Sequence, residues 1–354
     1  MHRVLNKYTK IIYLIFAVFC LVCMPGCAGK DNDNGTKIIL TTGFNDDEIF
    51  KISDEVCTRS QIMVYVTDLQ RQYEKVYGPK IWDTKVDGVT LEKNIKDVAL
   101  ARISQVKTVK LMAIERGMQL SDEETQKIKA VAETYYSSLG DDADRMGITF
   151  DTIYGLYEDY ALSQKLYENI VKDVNPEISD DEARTITVGH ILIKTYNYDD
   201  DGTLIPYDSI HKEEARALAT SLRKRIMDGE DFETLAKEYS DEEETTISFG
   251  KGEMQPAFEM AAFDLSSGEV SDVIETDRGY SIIKCISTFN KEVTDENKLK
   301  IVQLRKQEAF NGEYEEFASA LTKKLNDRAW EAITLPDEIN PDAGDFFSVF
   351  KEGF

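Results

Sequence analysis

Apolar residues recur every three or four positions through the first half of the chain, the spacing of helices with one buried face. The first stripe takes in Ile62, Tyr65, Val66, Leu69, Tyr73 and Val76 and stops at Gly78-Pro79. A second runs through Leu91, Ile95, Val98, Ala99, Arg102, Val106, Val109 and Ala113 to Gly117. Ser121 with Glu124 spells a capping box for a third, Ile128, Val131, Ala132, Tyr135 and Leu139. Thr149 opens a fourth, with Ile153, Leu156, Tyr157, Tyr160, Leu166 and Tyr167, which fades at Val174-Asn175-Pro176. Short strand-like runs, Lys37 to Gly43 and Glu48 to Ser53, precede them. Each stripe reads first as core, while tyrosine-rich faces also suit the gripping of unfolded chains, since a ring buries area with its hydroxyl still wet.

The period changes after the linker that holds a further capping box, Ser179 with Glu182. Thr187-Val-Gly-His-Ile-Leu-Ile-Lys194 and Gly279-Tyr-Ser-Ile-Ile-Lys284 read as strands. Between them lie two helical patterns: Ala215, Leu218, Ala219, Leu222 and Ile226 before Gly229, and Phe232, Leu235, Ala236 and Tyr239 after a capping Asp231. Thr294 is expected to cap a long late helix through Leu299, Val302, Ala309, Phe310, Tyr314, Phe317, Leu321 and Leu325 that packs back on the N-terminal helices. Phe346, Phe347, Phe350 and Phe354 then argue for a docked tail. The expected class is α+β: a mostly helical domain in two sequence pieces, 37–184 and 289–354, interrupted at 185–288 by a small antiparallel sheet with helices.

The N-terminus has another character. Arg3, Lys7 and Lys10 precede about 14 apolar residues from Ile11 to Met24, enough for the core of a signal peptide and too few for a spanning helix. Met24-Pro25-Gly26-Cys27 resembles the lipobox of bacterial lipoproteins. That resemblance implies cleavage after residue 26, a diacylglycerol on the Cys27 thiol, and a protein held by lipid on the extracytoplasmic face of the membrane. An ordinary secretory signal is the alternative. Residues 27–36 are polar or small and read as a flexible tether.

Composition removes some functions. The 66 acidic against 42 basic residues leave a net charge of −24, which repels phosphate backbones, so nucleic acid is an unsuitable partner. Outside the N-terminal segment the cysteines are Cys57 and Cys285, without metal-ligand spacing, and read as two inert thiols rather than a bridge. Asn197 to Thr203 with Asp208 mimics a calcium loop but follows a strand and ends in Asp, so an acidic turn is expected. No metal or cofactor is implied.

The candidate chemistry lies in 185–288. Met254 and Phe258 are four apart, so on a helix they share a face; His190 alternates with Val188 and Leu192 on one strand face. Gly189-His-Ile-Leu192, the Met254-Gln255…Phe258…Phe263…Leu265 segment and Gly279-Tyr-Ser-Ile-Ile-Lys284 together resemble the parvulin family of peptidyl-prolyl isomerases. The resemblance implies that Met254, Gln255, Phe258 and Phe263 bind the proline side of a substrate. It implies that His190 acts with the residue at 281 and with an acid after Tyr239-Ser240, either Asp241 or Glu242. Two features depart from the family: Ser281 stands where a second histidine is usual, and Glu243 to Ser248 replaces a longer glycine-rich segment.

The order of elements resembles the PrsA and SurA group of extracytoplasmic foldases. This implies an anchored foldase whose partners are unfolded or partly folded exported polypeptides and which isomerises X-Pro bonds. A holdase with an inactive parvulin domain, and a structural or solute-binding surface lipoprotein, are the alternatives.

Overall fold

The computed structural model describes residues 43–354 apart from positions 83, 87 and 200–202. The expected signal peptide, Cys27, the tether and the run from Lys37 to Thr42 lie outside the described residues. The elements are, in order, β1 (Glu48–Ile52), β2 (Glu55–Thr58), α1 (Arg59–Tyr77), β3 (Lys85–Val86), β4 (Val89–Thr90), α2 (Leu91–Glu115), α3 (Asp122–Leu139), α4 (Asp141–Met146) and α5 (Phe150–Val171). They continue with β5 (Thr185–Lys194), β6 (Tyr196–Tyr198), β7 (Leu204–Pro206), α6 (Ser209–Met227), α7 (Phe232–Tyr239), β8 (Thr246–Gly250), α8 (Pro256–Asp264), β9 (Ile274–Thr276) and β10 (Gly279–Ser287). Last come α9 (Lys291–Ala320), β11 (Lys323–Leu325), α10 (Asp327–Glu331) and α11 (Phe346–Gly353). The residues separate into two compact units, one taking the described chain up to Asp173 together with Gln307–Phe354, the other Val174–Lys306.

In the first unit α1 is buried on every side over Ile62 to Arg71, so its polar residues need internal partners. Arg71 donates to the Tyr135 hydroxyl at 3.0 Å. Gln70 donates to the Pro336 carbonyl at 2.9 Å, and Asp68 receives the Phe346 N–H at 2.9 Å. The capping boxes at Thr58, Ser121 and Thr149 satisfy orphan N–H groups where α1, α3 and α5 begin. Tyr65, Tyr135 and Tyr157 are enclosed in this core, so these rings are packed and not available on the surface.

The C-terminal residues complete that core. Phe346 stacks on Tyr157 at 4.3 Å between ring centroids, and Phe350 meets Tyr160 edge-on at 4.8 Å. β11 pairs antiparallel with β1, giving the order β11-β1-β2. Phe310 on α9 packs with Val109, Met112, Leu162 and Leu166. A second binding force is ionic: Lys107 is almost wholly buried yet stays charged between Glu55 at 2.8 Å and Asp159 at 3.1 Å, and Lys110 shares the same two carboxylates.

The late helix departs from the expectation in three ways. It begins at Lys291, ahead of Thr294, because Asn290 Oδ1 accepts the Val293 N–H. Thr294 is instead buried, its hydroxyl accepting the Thr185 N–H at 3.1 Å. The helix ends at Ala320, so Leu325 belongs to β11, and Leu299 lies 71% exposed.

In the second unit the sheet order is β8-β5-β10-β9, all antiparallel. Ile191, Ile193, Tyr280 and Ile282 face α6 and α7, packing on Ala219, Leu222, Phe232 and Leu235. Ile186, Val188 and Ile283 face the other way, onto Phe249 of β8 and Phe258 and Ala262 of α8. Both faces of β5 and β10 are covered, which is why these strands read as nearly continuous apolar runs. Gly189 is confined by the Phe232 ring, which a Cβ would meet at 2.9 Å.

Candidate active site

The face of β5 and β10 turned toward α8 carries the candidate site. His190 lies opposite Ile283 and is 4% exposed. Helix α8 starts with Pro256 at its first turn and brings Phe258 to the same place. The His190 and Phe258 rings meet edge to face, 5.9 Å between centroids at 88°. Met254 is half-buried in the same apolar group. Gln255 sits at the N-terminal end of α8, where its Oε1 accepts the Asp277 N–H at 3.2 Å and joins the helix to the β9–β10 turn.

The segment Ser240 to Thr245 runs beside β5 and supplies the polar side. Leu192 N–H is donated to Ser240 Oγ at 3.2 Å, Asp241 N–H to the Leu192 carbonyl at 2.8 Å and His190 N–H to the Thr245 carbonyl at 2.8 Å. The chain bends over residues 241–243, and Asp241 is directed to Lys194, whose N–H it accepts at 2.7 Å. Glu242 goes the other way, its Oε2 lying 3.3 Å from His190 Nε2. Of the two acids left open by the sequence, Glu242 stands at the histidine and Asp241 does not. His190 Nε2 also lies 3.1 Å from the Glu244 carbonyl. Carbonyl and carboxylate oxygens only accept, so Nε2 carries the ring proton in this arrangement.

Ser281 is 3% exposed and pairs with Leu192, one diagonal step from His190 on the same face. Diagonal neighbours in a sheet stand roughly 7–8 Å apart, beyond the reach of a hydroxymethyl group. Phe263 joins the group at its far side, edge-on to Phe249 at 5.9 Å and under the Arg184 guanidinium at 4.9 Å. Thus His190, Phe258 and Met254 are brought together, Ser281 lies nearby without reaching, and Phe263 serves a neighbouring stack.

One contributor carries no sequence signal. Arg278, in the β9–β10 turn, pairs through Nη2 with Glu242 Oε1. Burial works against its charge, but hydrogen bonding to Tyr196 and the Glu242 carboxylate outweigh that and raise its pKa further. The next residue, Gly279, has φ +134°, and a Cβ there would fall 2.1 Å from the Ile193 carbonyl oxygen, so the turn depends on glycine.

Residues 190–287 match the family model of the PPIC-type PPIASE domain. This segment is a parvulin-type peptidyl-prolyl isomerase domain. Outside the domain the likeness continues. The chain is 25% identical over 284 residues to the foldase protein PrsA of Clostridium botulinum strain Langeland, covering 70% of this chain and 78% of that one. It is likewise 25% identical over 290 residues to the foldase protein PrsA of Caldanaerobacter subterraneus, covering 78% and 81%. Among solved structures, the peptidylprolyl isomerase PrsA of Bacillus cereus aligns over 87% of this chain and 99% of its own, at 18% identity and a TM-score of 0.36. Beyond the parvulin domain the chain is thus similar to PrsA foldases over most of its length.

Proposed function

We propose that this chain is a lipid-anchored extracytoplasmic foldase, which binds unfolded exported polypeptides and weakly catalyses cis-trans isomerisation of their X-Pro bonds. The observation that carries the catalytic part is the contact of His190 with Phe258 on one sheet face. The names of the relatives support the foldase part. Cys27, in its lipobox-like setting, supports the anchor. No helix among the described residues is long and apolar enough to cross a membrane.

The barrier to X-Pro rotation is about 18–20 kcal/mol because twisting destroys amide resonance, and exchange without help takes tens of seconds or more. The twisted imide is less polar than the planar one, so a dry notch favours it over the ground state. Phe258 and Met254 supply the apolar contact for the pyrrolidine ring. His190, oriented through Nε2 by Glu242 and the Glu244 carbonyl, positions the imide. Weak turnover follows from Ser281, which cannot give His190 the second imidazole usual in the family. Ser281 equally favours a second reading, a holdase whose parvulin domain only recognises peptides.

An isomerisation assay on an unstructured X-Pro peptide separates the two. The expected result is a rate above buffer that Phe258→Ala abolishes with the fold retained by circular dichroism, and that Ser281→His raises several-fold. A wild-type rate equal to buffer and unchanged by Phe258→Ala overturns the isomerase reading and favours the holdase.

A further inference from the structure

We propose that Arg278 is a positioning residue of this site: it clamps the Glu242 carboxylate against His190 and so takes over the orienting task for which Ser281 is too short. The proposal deepens the isomerase reading and rests on it. Three observations lead to it. The two Glu242 oxygens are divided, Oε2 to His190 Nε2 and Oε1 to Arg278 Nη2, so one carboxylate bridges both side chains. Arg278 is itself held at two points. Its N–H is donated to Thr276 Oγ1 at 3.3 Å, and its carbonyl accepts the Thr195 N–H at 3.3 Å. Lastly, Glu242 is a flexible side chain at the rim with 22% of its side chain exposed, and its neighbours Asp241, Glu243 and Glu244 are all acidic.

A lone carboxylate in that setting would turn to water, away from its like-charged neighbours. The guanidinium reverses the balance by offering a charge-assisted hydrogen bond on the site side. It also compensates the charge of Glu242, which leaves the notch without a net anion beside the weakly polar twisted imide. No proton or covalent bond changes hands: Arg278 acts by fixing Glu242, and Glu242 by fixing the plane and protonated nitrogen of His190.

The experiment uses the full-length chain labelled with 15N-histidine. Its three histidines are His2, His190 and His211, so His190→Asn assigns the ring signals. The variants are Arg278→Met, which keeps the stem, Arg278→Lys, Glu242→Gln, and the Met/Gln double. For Arg278→Met the expected result is a fall in kcat of roughly tenfold with KM changed less than about twofold, the loss of one charge-assisted bond. The His190 ring should shift from a single Nε2-protonated form to a mixture of tautomers. Arg278→Lys should restore part of both signals, and the double variant should lose little more than Glu242→Gln alone, as residues of one network do.

Additive losses overturn the clamp, as does an Nε2-protonated ring unchanged in Arg278→Met. If the wild-type rate equals buffer, the isomerase reading has failed by itself. The ring-nitrogen spectra then decide for or against Arg278.

Discussion

Asp68 is a carboxyl group enclosed in α1 with little to balance a charge. It receives the Phe346 N–H at 2.9 Å and a Gln72 amide hydrogen bond at 3.0 Å, and the Arg71 guanidinium stands no nearer than 3.8 Å. Burial first, and then the Asp345 carboxylate, push its pKa up to about 7. A carboxyl raised in the folded state binds more protons folded than unfolded between the ordinary carboxylate range and about 7, so stability falls as pH rises through that window. Asp68→Asn keeps an acceptor for Phe346 and never ionises. Urea melts should show it about 1–2 kcal/mol more stable than wild type at pH 8, with the gap closing toward pH 4. A gap independent of pH would mean that Asp68 is not the titrating group. At this scale legibility is uneven. His190 was readable because strand alternation settles direction, whereas Met254 lies ahead of α8, which begins at Pro256, so it joins the Phe258 group from the preceding turn and not through four-residue helical spacing. Whether Asp241 or Glu242 meets His190 depends on how Ser240 hydrogen-bonds to Leu192, which no spacing encodes. Arg278 enters through tertiary approach alone.

Elements were read better than their ends. The stripes of α1, α2, α3 and α5 are present, with the expected Ser121 and Thr149 at the starts of α3 and α5, although α1 goes beyond a stripe and is enclosed on every side over Ile62 to Arg71. Helix α4 escaped notice since six residues hold too little periodicity to register. Thr294 misled because a threonine before an apolar run looks like a cap whether its hydroxyl turns back to the helix or, as here, out to Thr185. The docked tail is the element with the largest consequence for stability. Phe346 is fully buried among Tyr65, Tyr135 and Tyr157, so Phe346→Ala should cost about 3–5 kcal/mol, read from the shift in the denaturation midpoint. A loss below about 1 kcal/mol would show that α11 is not part of the cooperative core.

For the molecule as a whole, the parvulin-containing unit interrupts a unit whose core draws on both sides of the interruption. The broad plan, a helical body with a small sheet domain inserted, was visible in the change of hydrophobic period after Pro176 and its return beyond Asn290. The point inside α9 at which the chain passes from one unit to the other was not, because the helical period runs on through Lys306 without a break. If client holding belongs to the outer unit, replacing Val174–Lys306 by a flexible Gly/Ser linker should leave suppression of client aggregation within about twofold of wild type by light scattering, while isomerisation is lost. Loss of both would assign client binding to the inserted unit.

The tail packed beneath Tyr157 also sets an order of events during synthesis. Residues 174–306 have emerged in full while the outer core still lacks Phe310, β11 and Phe346, so the small module can close first and its host cannot. Until residues 346–350 have left the ribosome, the aromatic rings of α1, α3 and α5 have no final partner, and a chain stalled before that point is itself an unfolded polypeptide of the kind this protein is proposed to hold.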